Sequence, residues 1–265
     1  MNFYATFEIN PENFLNNRAM AYGDGLFETM LVMNGSIPLW GFHKQRLQTD
    51  LTRLGLNKIK ETEVYHKILS LCPNHGEFIA KLVVFRSTTH RGYQGNTKNN
   101  QWYISISKNQ ASLNKLKINF SKITLSRQKH LTGIKHLNRL EQVLAANALI
   151  NSKYNDAIML DRKNNIIETI SKNIVLIKNN QLFTPELNKC GVYGVALRWL
   201  EANNFHLTWK NINQKDLSTF DGLLLCNSIT GFREVRNIKK QFHFEQNIPI
   251  IADIKKKWFE SINSV

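Results

Sequence analysis

The stretch Gly133-Ile134-Lys135-His136-Leu137-Asn138-Arg139-Leu140-Glu141-Gln142-Val143 sets one lysine just ahead of a strongly patterned apolar run. Leu137, Leu140, Leu144 and Ala148 recur at helical spacing. The pattern predicts a helix that starts near His136, buries this face and leaves Lys135 at its mouth. An ε-amine held beside apolar surface gives up its charge more readily and can then condense with an aldehyde. Read alone, a lysine near a helix start is most often a solvated surface residue. The rest of the chain has to decide what this one does.

Outward from the lysine, strands and helices mix in both halves. Phe3 to Ile9 reads as a strand, Gly25 to Met33 as a second leading into an Asn34-Gly35 turn, and Ile37 to Trp40 as its hairpin partner. Leu47, Leu51 and Leu54 keep a helical face through His43 to Leu54, and Glu61 to Leu71 reads as another helix. Lys81 to Arg86 and Trp102 to Ser107 are strands separated by a polar loop. Lys117 to Leu125 opens a β-rich half in which Ala157 to Leu160 hairpins with Ile166 to Thr169, and Ile174 to Ile177 pairs with Gln181 to Phe183 across Asn179-Asn180. Helices return at Val195 to Ala202 and Ile251 to Ile262. The expected class is α+β, with an N-terminal lobe over residues 1–109, a polar linker over 110–116 and a C-terminal lobe over 117–265.

Composition narrows the partners. The 265 residues are 42% hydrophobic, enough for one or two ordinary cores. Thirty-five Lys+Arg against 20 Asp+Glu give a net charge of +15, but the basic residues are spread along the chain in short runs such as Lys255-Lys256-Lys257. With no motif of the known readers, no nucleic-acid partner is expected. Cys72, Cys190 and Cys226 are odd in number and far apart, so neither a disulfide framework nor a metal site is expected, and a reducing cytoplasm is the simplest setting. Met1 to Met20 lacks the basic start and apolar run of a signal peptide, and no segment approaches a membrane span.

Several further stretches, taken in order with the lysine segment, carry a resemblance. Tyr22-Gly23-Asp24-Gly25-Leu26-Phe27-Glu28-Thr29, His43-Lys44-Gln45-Arg46-Leu47, Glu168 with Asn173, Thr184-Pro185, Gly191-Val192-Tyr193-Gly194-Val195 and Cys226-Asn227-Ser228 run from about Arg18 to Val235. Together the chain resembles the class IV, fold type IV family of pyridoxal phosphate enzymes, and within it the aminodeoxychorismate lyase branch. The resemblance implies a two-lobed fold: a smaller N-terminal α/β lobe, a larger β-rich C-terminal lobe carrying the lysine, and pyridoxal 5'-phosphate between them. It also implies a homodimer acting on a small molecule.

Residue roles follow from what such a cofactor needs. Lys135 is the implied catalytic amine. A carboxylate beside the pyridine nitrogen keeps that nitrogen protonated, and Glu168 is the implied carboxylate, although local sequence alone reads it as the solvent face of a hairpin. A phosphate needs positive charge and free N–H groups, which helix N-termini supply. Gly194, Val195 and Ala196 open one helix, Asn227-Ser228 follow the apolar strand Leu223-Leu224-Leu225, and Arg46 offers a forked, permanently charged group. A bare Gly-x-x-Gly is also an ordinary turn, and Arg46 equally a surface arginine on a helix. Arg91 and Tyr93 resemble the lyase's substrate loop, where a solvated arginine is the alternative.

Once substrate amine has displaced Lys135 from the cofactor, the freed lysine takes the proton from the carbon bearing that amine. In the lyase branch an enolpyruvyl ether is then expelled, leaving pyruvate and para-aminobenzoate for folate synthesis. A class IV aminotransferase acting on a D-amino acid or a branched-chain amino acid would use the same lysine and release a keto acid. Such transaminases usually carry Glu at the position held here by Gly231, which favours the lyase. Glu234 replaces a frequent proline, and Leu197 stands where arginine is common, with Arg198 one place later.

Overall fold

The computed structural model describes residues 2–11, 13, 16–88, 92–110, 115–239 and 241–263. The chain falls into two compact units: Met1–Gln110 with Lys135–Asn138, and Ala111–Ile134 with Arg139–Asn263.

In the first unit, strands β1 (Asn2–Ala5), β2 (Gly25–Met33), β3 (Glu77–Arg86) and β4 (Asn100–Lys108) form an antiparallel sheet in the order β1-β4-β3-β2. Among the described residues the helices α1 (Arg18–Tyr22), α2 (Trp40–Arg53) and α3 (Glu61–Leu71) accompany it. Alternation along the strands puts Leu26, Met30 and Val32 of β2 and Ala80, Leu82 and Val84 of β3 into one core with Leu47 and Leu51 of α2 and Val64 and Ile68 of α3. The expected partner strand at Ile37 to Trp40 does not form. Asn34 and Gly35 take positive φ and close a tight turn, leaving one isolated bridge between Met33 and Ser36. Pro38 lacks an N–H for a ladder, Trp40 already begins α2, and β2 pairs with β3 instead.

The lysine segment departs from the expected helix. Helix α4 runs Leu140–Asn147, and Lys135–Asn138 is instead a short extended stretch on the edge of β2. Phe27 N–H donates to Lys135 O at 3.0 Å, Leu137 N–H donates to Gly25 O at 2.9 Å, and Leu26 bridges His136. An edge strand with unpaired N–H and C=O groups recruits such a segment, and these bonds outweigh the local helical pattern. The chain-order reading put Lys135 in the C-terminal lobe, yet its segment packs with the first unit. The predicted apolar face is likewise not buried: Leu140, Leu144 and Ala148 are exposed, and Ala145 is the buried residue of α4.

Among its described residues the second unit has two five-stranded sheets. One has the order β10-β9-β8-β11-β12 and the other β14-β13-β5-β6-β7. The strands are β5 (Ile118–Phe120), β6 (Asp156–Leu160), β7 (Ile166–Thr169), β8 (Asn173–Lys178), β9 (Gln181–Pro185), β10 (Leu207–Lys210), β11 (Gly222–Asn227), β12 (Gly231–Glu234), β13 (Asn237–Ile238) and β14 (Phe242–His243). Helices α5 (Val195–Ala202) and α6 (Pro249–Asn263) complete it with α4. The hairpins β6–β7 and β8–β9 match the reading of the sequence, the second turning on Asn179 and Asn180, both at positive φ. Among the described residues no helix is long and apolar enough to cross a membrane.

Candidate active site

In the first unit, candidate functional side chains gather where β2 meets α2. Lys135 is half-buried, its Nζ 4.3 Å from the centroid of the Phe27 ring, and its backbone N–H donates to Asp50 Oδ2 at 3.2 Å. Backbone bonds on both sides of Lys135 thus fix where its side chain starts. His43, Arg46 and Asp50 fall at i, i+3 and i+7 on one face of α2, and all three are buried. Between them, Glu28 projects from the inward face of β2, which it shares with Leu26, Met30 and Val32.

Glu28 organises this group. Arg46 donates to it twice, from Nε to Oε1 at 2.7 Å and from Nη2 to Oε2 at 2.6 Å, and His43 Nδ1 lies 2.6 Å from Oε2. Burial alone would raise the Glu28 carboxyl, but Arg46 and His43 together hold it down at about 2. Burial lowers the His43 pKa below its ordinary value, against the pull of Glu28. Burial also works against the Arg46 charge, but Glu28 and then Asp50 more than offset it, and its pKa is raised. Arg46 is therefore a buried, paired guanidinium and not a surface arginine. The residues that sequence reading passed over are Glu28, His43 and Asp50. Glu28 did carry a signal, a carboxylate at an inward position of an otherwise apolar strand.

In the second unit, Glu168 is buried on β7, where all four residues are buried, so the solvent-face alternative does not hold. Its Oε2 accepts from the N–H of Val192 at 2.9 Å, and Gln142 Nε2 lies 3.4 Å from Oε1. Burial and then the Glu168 charge push the nearby Cys190 thiol up to about 12. The Gly191–Gly194 turn is pinned from several sides. Gly133 N–H donates to Gly191 O, Tyr193 N–H donates to Gly133 O, and Asn173 Nδ2 donates to Val192 O at 2.8 Å. A Cβ on Gly194 would lie 1.9 Å from Asn173 Oδ1, which is the local reason for glycine there.

Gly194 is the N-cap of α5 and offers no capping side chain, so the first N–H groups of that helix, next to buried Val195 and Ala196, receive no side-chain acceptor from it. Asn173 also pairs with Cys226, which brings the end of β11 to the same turn. Beyond it, Asn227 Oδ1 accepts from the N–H groups of Ile229 and Thr230 and from the Thr230 hydroxyl, shaping the loop that carries half-buried Ser228. Gly231 sits at φ +61°, and a Cβ there would lie 2.6 Å from Trp258 Nε1. Leu197 is fully buried, while the Arg198 guanidinium stacks 4.0 Å above the Tyr193 ring.

Arg91 lies outside the described residues. Tyr93 is 90% exposed, on a loop that buried Arg18 tethers through the carbonyls of Gly92 and Tyr93.

Each unit thus assembles its own group: Lys135 and Arg46 in the first, and Glu168, Gly194, Val195, Ala196, Asn227 and Ser228 in the second. The chemistry available is a positioned amine, a buried carboxylate, a pinned guanidinium and an uncapped helix N-terminus.

Residues 25–238 match the family model described as amino-transferase class IV. The chain is 28% identical over 235 residues to an aminodeoxychorismate lyase of Vibrio harveyi, covering 84% of this chain and 86% of that protein. Among solved structures it is similar to a 4-amino-4-deoxychorismate lyase of Pseudomonas aeruginosa, with a TM-score of 0.85, 28% identity, and 97% and 98% of the two chains covered. A branched-chain aminotransferase of Thermoproteus uzoniensis shares the fold at a TM-score of 0.80 and 16% identity, with 98% and 94% covered.

Proposed function

Because the chain belongs to the class IV amino-transferase family, we propose that it is a lyase converting 4-amino-4-deoxychorismate to para-aminobenzoate and pyruvate in folate biosynthesis. It is a pyridoxal phosphate-dependent enzyme, as its family is, and the side chains present fit that group. Lys135 offers an amine for the aldehyde. Buried Glu168 offers a carboxylate for the ring nitrogen, and Arg46, the Gly194–Ala196 helix start and the Asn227–Ser228 loop offer donors for the phosphate. When bound, the cofactor supplies an aldehyde to hold the substrate amine and a protonated ring to accept the electron pair that proton removal leaves.

Lys135 then acts as the general base, taking the proton from the carbon that bears the substrate amine. The Asp50 contact and the bonds to β2 are made by the main chain of this segment and fix the point from which the side chain reaches. Glu168, whose Oε2 accepts from the Val192 N–H, would supply the carboxylate for the ring nitrogen. Arg91 and Tyr93 are assigned to the substrate side.

The lyase branch rests on Gly231. At positive φ and against the Trp258 indole it has no room for the glutamate that similar transaminases carry there. We also propose a homodimer, supported by the apolar surface of Leu140 (69% exposed), Val143, Leu144 and Ile150 that this single chain leaves uncovered. The proposed compartment is the cytoplasm, in keeping with free thiols at Cys72, Cys190 and Cys226.

The test is an assay with purified holoenzyme and 4-amino-4-deoxychorismate, without any keto acid. Equal amounts of pyruvate and para-aminobenzoate, absent with Lys135→Ala, are expected. Turnover that requires a keto-acid acceptor, with D- or branched-chain amino acids as donors, would replace the lyase by an aminotransferase.

A further inference from the structure

Glu28 and His43 have no role in the proposed chemistry, yet each is only 1% exposed; Glu28 holds the guanidinium assigned to the phosphate, and His43 bonds to Glu28. We infer that Glu28 and His43 are positioning residues, which turn one edge of Arg46 toward the cofactor phosphate. This inference rests on the reading of Arg46 as a phosphate ligand.

A guanidinium has two forked edges, a side edge of Nε with one Nη and an end edge of both Nη atoms. Glu28 takes the side edge through Nε at 2.7 Å and Nη2 at 2.6 Å, so the Nη1 side is the one turned away from it. Held in this way, a long side chain that would otherwise sample many rotamers presents its second fork in one direction.

His43 fixes Glu28 in turn. The Glu28 carboxylate is ionised and can only accept, so the His43 proton sits on Nδ1 and donates to Oε2 at 2.6 Å. That leaves Nε2 as a bare acceptor, and it is buried without a hydrogen-bond partner. The neutral form of His43 is favoured by burial and by the nearby charges of Arg46 and Lys135.

Orientation and charge make opposite predictions for Glu28. As a negative charge beside an anion site it repels phosphate, so removing it tightens phosphate binding if charge is all that counts. If Glu28 aims Arg46, removing it weakens binding.

The experiment compares affinities for pyridoxal 5'-phosphate and for pyridoxal, which lacks the phosphate, by titration of the purified apo-chain followed by absorbance. Arg46→Gln is the reference for the underlying reading. It is expected to weaken the phosphorylated ligand by roughly tenfold or more, the size of a hydrogen-bonded charge, and to leave pyridoxal nearly unchanged. Glu28→Gln and His43→Phe are expected to lower the same ratio by about tenfold and about threefold. His43→Gln, whose amide can still donate to Glu28, restores most of it.

If Arg46→Gln affects both ligands alike, the phosphate reading of Arg46 fails, and this inference with it. If Arg46→Gln is selective but the Glu28 and His43 variants weaken both ligands equally, or Glu28→Gln tightens the phosphorylated one, the positioning role alone is overturned. Circular dichroism establishes that each variant is folded, and His43→Phe keeps the question open to measurement should Glu28→Gln unfold.

Discussion

Replacing Glu28 by glutamine should change how the protein responds to acid as well as how stable it is. Glu28 has its carboxyl held at about 2, against 4.5 for the unperturbed group. The folded state therefore binds fewer protons than the unfolded chain between those values. The stability this contributes is fully present above pH 4.5 and is lost as pH falls toward 2. A difference of that size corresponds to roughly 3 kcal/mol at neutral pH. That agrees with the 3–5 kcal/mol expected, at order of magnitude (~), when one member of a buried ion pair is removed. Glu28→Gln should lower the urea midpoint of the apo-protein at pH 7 by about 1 M.

It should also flatten the acid limb, since glutamine does not titrate. The wild-type chain should lose up to about 1.4 kcal/mol for each pH step below 4.5 through this group, and the variant should not. Urea titrations at pH 7, 5, 4 and 3, followed by tryptophan fluorescence, measure both effects. Parallel acid limbs for the two proteins would show that the Glu28–Arg46–His43 group does not hold the carboxyl down, whatever the loss at pH 7.

His43 adds a second slope at higher pH. Burial depresses its folded pKa, so its contribution is present above 6.5 and declines as pH falls below that value; His43→Phe should remove this component from the same titration. Lys135→Ala should abolish product release while moving the urea midpoint little, because the bonds to β2 are made by the Lys135 backbone. Gly231→Ala should lower the thermal midpoint by several degrees, from about 1–2 kcal/mol of backbone strain at positive φ plus the approach to Trp258; an unchanged midpoint would remove the steric argument for the lyase branch. Leu144→Glu should convert the proposed dimer to monomer in sedimentation experiments, and a dimer that survives would place the interface elsewhere.

Much of the fold was legible wherever a segment's own pattern agrees with its tertiary partners. The strand Gly25–Met33, the helices Glu61–Leu71 and Val195–Ala202, and the two hairpins of the second unit emerge with their expected type. In each, periodicity and turn residues such as Asn179-Asn180 act over a few residues. Charged side chains were harder. Glu168 reads locally as a solvent-facing hairpin residue, and only the fold shows it buried against the Val192 N–H.

The amino-acid sequence alone determined the class of the protein, because motif order and residue type are properties of the chain, and it supplied the lysine proposed as catalytic. Tertiary structure decided where that lysine sits. Leu137, Leu140, Leu144 and Ala148 carry a helical pattern, yet Lys135–Asn138 is extended because the open edge of β2 offers hydrogen bonds that the local pattern cannot foresee. The same holds for the Glu28, His43 and Arg46 group. Two helical residues and one strand residue become a single buried charge network only when α2 is laid against β2. Such contacts depend on long-range pairing and burial, which no window of neighbouring residues contains.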